Sequence, residues 1–156
     1  MNFLSICVPK KIISESILEN ILSVDQNELP YFSFKNNNVL AKIVSVYDGD
    51  SFTAIFTYKG DLIKYRFRCY GYTSPNLKPS LSIENREDII KSANDAKQKF
   101  IELTNKSKNA LVTLECFDFD NYGRILANVY NNVDTESVNS LMIKGGYGIE
   151  FIYINK

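Results

Sequence analysis

Two kinds of periodicity divide the chain. In KKIISESILENILS the apolar residues Ile13, Ile17, Leu18 and Ile21 recur at helical spacing, and the following VDQNELPYFSFKNNN breaks into proline and a polar asparagine run. From Val39 the period shortens to two. VLAKIVSVY alternates, FTAIFTY continues with β-branched and aromatic residues, and LIKYRFRCY makes a third run, with DGDS and KGD as turns between them. Helical spacing returns at Ile89, Ile90, Ala93, Ala96, Phe100 and Leu103, with Asn85 and Asp88 giving a cap-like start. Glu87/Lys91, Asp95/Lys99 and Glu102/Lys106 are placed as outward i,i+4 pairs. ALVTLECFDF and RILANVYNN flank DNYG as a second hairpin, and TESVNSLMIKGG predicts a short helix with a Thr/Ser cap and a glycine stop.

The resulting order, βββ-α-ββ-α, predicts an α+β, mainly β fold: a five-stranded OB-fold barrel over residues 40–156, preceded by an N-terminal helical extension over residues 1–39. A chain of 156 residues, 45% of them hydrophobic, supports one packed core. The extension reads as an amphipathic helix packed on the domain, with a partner-binding arm as the alternative.

Composition narrows the chemistry. Histidine is absent, which removes imidazole acid/base and His-metal schemes. Cys7, Cys69 and Cys116 fit neither a disulfide framework nor zinc spacing and read as buried reduced thiols. The N-terminus carries neither a signal-peptide pattern nor a membrane-spanning run, so a soluble, intracellular, cytoplasmic protein without a membrane partner is expected. Its 18 basic and 18 acidic side chains cancel, yet residues 59–108 hold 11 Lys/Arg against 6 Asp/Glu. That locally basic segment reads either as a surface facing phosphate or as a solvated helix face.

Within YDGDS, Asp48 and Asp50 put two carboxylates on one tight turn, a way to hold a hard cation and equally an ordinary Asp-Gly hairpin. DFDNYG lacks the closing Glu of a calcium loop and reads as a turn around Gly123. Arg68 and Arg124 fall near strand ends, where two guanidinium forks would clamp a phosphodiester.

Taken together, VYDGDSF, YRFRCYGYTSPN, FDNYGRILANVY and IKGGYG resemble the staphylococcal nuclease (thermonuclease) family, in order, across residues 40–156. The resemblance implies an OB barrel with packed helices and Ca²⁺-dependent cleavage of DNA and RNA. It assigns Asp50 to a calcium ligand, with Asp48 beside it, and Arg68 and Arg124 to the phosphate-binding catalytic arginines, the latter within Asp120, Tyr122, Gly123 and Arg124. The family pattern Gly-x-Asp-Thr-Pro-Glu aligns with Gly71, Tyr72, Thr73, Ser74, Pro75 and Asn76. Thr73 therefore stands where a calcium carboxylate is expected, Ser74 at a second metal-site position, and Asn76 at that of the general base.

Losing one of two anionic ligands at Thr73 weakens attraction for a dication, and the Asn76 amide cannot take a proton near neutral pH, so the two substitutions predict weak or absent Ca²⁺ binding and impaired or lost phosphodiesterase activity, with phosphate binding retained. Glu84 or Glu87 would be the nearest replacement bases, though both read first as helix-start charges. Tyr70, Tyr72 and Tyr122 are candidate stacking faces for bases. The alternatives are an active Ca²⁺-dependent endonuclease and a protein-interaction module that docks a partner through residues 1–39. KPSLSIENRE is similar to nuclease-like proteins of large DNA viruses, and family members commonly continue into another helix past the segment matching YINK.

Overall fold

A computed structural model describes residues 15–151, apart from the side chain of Lys108. Cys7, Ile13 and the YINK segment lie outside the described residues. Two compact units divide between Phe32 and Ser33. In the first, helix α1 spans Glu15–Ser23, and none of its residues is buried: Ile17, Leu18, Ile21 and Leu22 are all exposed. The expected helix is present.

The second unit begins at Ser33 and holds a closed barrel of five strands: β1 (Asn38–Val46), β2 (Ser51–Tyr58), β3 (Asp61–Cys69), β5 (Leu111–Phe119) and β6 (Ile125–Tyr130), ordered β1-β2-β3-β6-β5. The pairings β1–β2, β2–β3, β5–β6 and β1–β5 are antiparallel, whereas β3–β6 is parallel, Phe67 opposite Ile125. With helix α2 (Arg86–Thr104) inserted between β3 and β5 and helix α3 (Val138–Lys144) after β6, the βββ-α-ββ-α order and the OB-type barrel are borne out. Two features escaped the periodicity: the two-residue strands β4 (Tyr72–Thr73) and β7 (Ile149–Glu150), which pair with each other. Runs that short carry no period.

Alternation along each strand fills the barrel. Phe52, Ala54 and Phe56 of β2 face Phe67 and Cys69 of β3, and Val112, Leu114, Cys116, Ile125, Ala127 and Val129 complete the wall. Phe52 stacks on Phe67 with centroids 5.4 Å apart, and Phe56 meets Phe67 edge-on at 5.6 Å. The β2–β3 turn is two residues long, and both Lys59 (φ 50°) and Gly60 (φ 91°) take the positive φ that matches strand twist. Cys69 and Cys116 are buried and free of disulfide, as expected.

Helix α2 buries Ala93, Ala96, Phe100 and Leu103, with Phe100 5.5 Å from Phe52. Its surface differs in detail from the sequence reading. Asn85 precedes the helix without a side-chain capping bond. Lys99 pairs with Glu102 rather than Asp95, at 2.9 Å, and Lys106 reaches Asp134 at 2.8 Å. Long flexible side chains take the nearest carboxylate, which spacing along one helix does not decide. Helix α3 is capped as read: the Ser137 hydroxyl accepts from the Ser140 backbone N–H at 3.1 Å.

Buried Asn139 joins α3, β6 and the end of β3. Its Oδ1 accepts from the Val129 N–H at 2.9 Å, and its Nδ2 donates to the carbonyls of Tyr70 at 2.8 Å and Ala127 at 3.1 Å. Removing the amide leaves buried backbone groups unpaired, at about 1–3 kcal/mol for each unsatisfied group. Asn139→Ala is expected to lower the urea midpoint by the equivalent of about 3 kcal/mol with an unchanged slope. A loss under about 1 kcal/mol would show that Asn139 is not the brace described.

Candidate nucleic-acid phosphate site

The β1–β2 turn, the end of β3 and the loop after it converge on one carboxylate. Asp50 is 2% exposed and accepts four hydrogen bonds. Its Oδ1 takes the Ser51 hydroxyl at 2.7 Å and Arg68 Nη1 at 2.8 Å. Its Oδ2 takes the Ser74 backbone N–H at 2.8 Å and the Thr73 hydroxyl at 3.4 Å. The register makes this arrangement local, since Ser51 pairs with Arg68 across β2 and β3 and the Cys69 N–H donates to the Asp50 carbonyl at 2.8 Å.

Two close approaches set the loop against the turn. A Cβ on Gly49 would lie 2.8 Å from Ser74 Cβ and 2.9 Å from Ala96 Cβ, so only glycine lets turn, loop and α2 meet. The Tyr72 hydroxyl donates to the Gly49 carbonyl at 2.6 Å, while its ring is fully buried. Behind the loop, β4 pairs with β7 and the Phe151 N–H donates to the Gly71 carbonyl at 2.8 Å.

Arg124 joins through Ser51, whose hydroxyl accepts from Arg124 Nη1 at 3.0 Å while donating to Asp50. The other guanidinium edge grips Asp120: Nε donates at 2.7 Å and Nη2 lies at 2.6 Å. A continuous chain thus runs Arg68, Asp50, Ser51, Arg124, Asp120. The Arg68 and Arg124 side chains remain 18% and 20% exposed.

Burial, the largest single influence on Asp120, raises its carboxyl pKa. Hydrogen bonds from the Arg124 N–H and guanidinium and from the Tyr122 N–H, with the adjacent positive charge, outweigh it and hold the group below the ordinary aspartate value. Burial pushes the Asp48 carboxyl up, and the neighbouring Asp50 charge adds to that rise.

The sequence profile of staphylococcal nuclease homologues matches residues 76–156, more than half of the chain. The chain belongs to the staphylococcal nuclease homologue family. No curated protein matches it. The match contains Arg124 and Asn76 and begins beyond Asp50 and Arg68, which reach the same site through barrel closure.

Of the residues expected from sequence in this nuclease-like domain, Asp50, Arg68, Arg124, Thr73 and Ser74 come together around Asp50. Asp48 borders them, its Oδ1 accepting from the Asp50 N–H at 3.0 Å. Asn76 is exposed, and its Oδ1 accepts from the Lys78 N–H at 2.8 Å, closing a local turn. Glu84 and Glu87 are exposed, the latter in the first turn of α2. Tyr72 has no face open to a base. Tyr70 stacks on Phe117 with centroids 4.2 Å apart, and Tyr122 is 77% exposed with Arg124 Cζ 5.5 Å from its ring centroid. Ser51, the link between the arginines, was not singled out in the sequence, where a serine after Asp-Gly-Asp carries no mark of its role.

The donors around Asp50 bear on calcium. A carboxylate offers about four lone-pair positions, and four N–H or O–H donors fill them here. A calcium ion takes about 6–8 oxygen ligands, and among the described residues no three acidic or cysteine side chains group to hold a metal. As arranged, this donor set does not fit a calcium ion.

Because Asp120 titrates below its ordinary value, its stabilising contribution is present above the ordinary value of 3.8 and is lost as pH falls through the lowered one. Asp120→Asn is therefore expected to be less stable than the parent near neutral pH, with the gap closing in acid. Urea midpoints measured from pH 7 down to pH 3 test this, and a gap constant with pH would contradict it.

Proposed function

We propose that this nuclease-like domain binds nucleic-acid phosphates through Arg68 and Arg124, independently of calcium, and has lost ordinary phosphodiesterase activity. The observation that carries the reading is the hydrogen-bonded chain through Ser51. It ties two guanidinium groups to one carboxylate, Arg68 directly and Arg124 through Ser51, while filling the positions that would otherwise draw a metal. Bidentate donors held by their own counter-ions are prepared for an anion and lose little side-chain entropy on meeting it. Water activation has no comparable support, since Asn76 is an amide already engaged in its own turn.

Cleavage of single-stranded DNA in the presence of Ca²⁺ tests the loss of activity. The Thr73→Asp/Asn76→Glu variant, which restores the carboxylates of the family pattern, is expected to cut at least about 100-fold faster than the parent, the lower end of what a general base contributes. It is also expected to gain thermal stability on adding Ca²⁺ while the parent does not. Equal cleavage rates would reject the reading in favour of an active calcium-dependent endonuclease. For binding, Arg124→Ala and Arg68→Gln are each expected to weaken affinity for an oligonucleotide. Gln keeps a donor for Asp50, so the second variant does not strand a buried charge.

A second reading concerns residues 1–39. The exposed apolar side chains of α1 suit a protein partner, and deletion of these residues with loss of that partner but retention of oligonucleotide binding would support it.

A further inference from the structure

Strand β3 presents more positive charge than the paired arginines. Side chains alternate across a strand, and since Phe67 and Cys69 point into the core, Lys64, Arg66 and Arg68 share the outward face. Successive residues on that face lie about 7 Å apart, a spacing on the scale of consecutive phosphates in an extended polynucleotide strand. Their cross-strand neighbours on β2 are Ile55, Thr53 and Ser51, all uncharged. Among the described residues, neither Lys64 nor Arg66 has a carboxylate within ion-pairing distance. By contrast, Arg68 and Arg124 are each held by an aspartate.

The row of charge has an aromatic beside it. Arg66 Nη2 reaches the Tyr122 carbonyl at 3.5 Å, which brings the exposed Tyr122 ring to the junction between Arg66 and Arg124. A phosphate-spaced basic row with one open aromatic face is the combination that grips single-stranded nucleic acid without reading its sequence.

We propose that the outward face of β3 is a single-strand track, in which Lys64 and Arg66 carry the phosphates next to the one at Arg68 and Arg124 while Tyr122 stacks a base. This rests on the phosphate-binding reading above and extends it from a single phosphate to a strand of defined direction along β3. A duplex fits this face less well, because its bases are stacked inside the helix and offer Tyr122 no free ring.

The test is fluorescence anisotropy with labelled (dT)12 across a range of salt concentrations. Lys64→Ala/Arg66→Ala removes two exposed charges and no buried contact, so folding is preserved, which circular dichroism checks. It is expected to reduce the slope of log affinity against log salt by about 1.4, or about 0.7 for each lost phosphate contact. Tyr122→Leu is expected to weaken binding roughly tenfold with the slope unchanged, as loss of one stacked base does. If Arg124→Ala weakens binding while Lys64→Ala/Arg66→Ala leaves the slope at the parental value, the track is wrong and the phosphate site stands. Parent protein that does not bind (dT)12 overturns both. A 12-base-pair duplex bound as tightly as the single strand overturns the single-strand assignment.

Discussion

The buried carboxylate of Asp50 organises the site. An ionised aspartate removed from water is costly unless every oxygen is hydrogen-bonded, and here four donors from three separate segments meet that need. Each donor is thereby placed: Arg68 at the end of β3, Ser51 at the start of β2, Thr73 at the end of β4 and Ser74 just after it. Arg124 follows at one remove, through the Ser51 hydroxyl.

Much of the rest of the fold supports this one corner. Gly49 admits the close contact of turn, loop and helix, Tyr72 ties the loop to the turn from inside the core, and Asn139 holds the end of β3 to β6 and α3. The β4–β7 pair closes the loop from behind. These are rigid, buried supports, which suits a site that binds by preorganised geometry. Beyond it, Lys64 and Arg66 lie on the solvent side of a strand whose other face is barrel core, so the position of their charge is set by packing.

No helix among the described residues is long and apolar enough to cross a membrane. The described part of the N-terminal unit is polar apart from the exposed stripe of α1 and the apolar residues that follow it.

Strand and helix identity were legible because two-residue and 3.6-residue periods are written directly into the hydrophobic pattern. Arg68, Arg124, Thr73 and Ser74 were picked out by their places in short motifs, and the fold brings them together at Asp50 and Ser51. What the chain alone left undecided involves partners distant in sequence. Tyr72 read as a stacking face and proved to be core, because a glycine-led turn sends its ring inward and only the packed barrel shows which way. Ser51 gained its role from Arg124, 73 residues away. Helix-surface ion pairs went to other partners for a similar reason. A side chain's type and spacing are local properties, whereas its hydrogen-bond partner is decided by which segments barrel closure brings within about 3 Å.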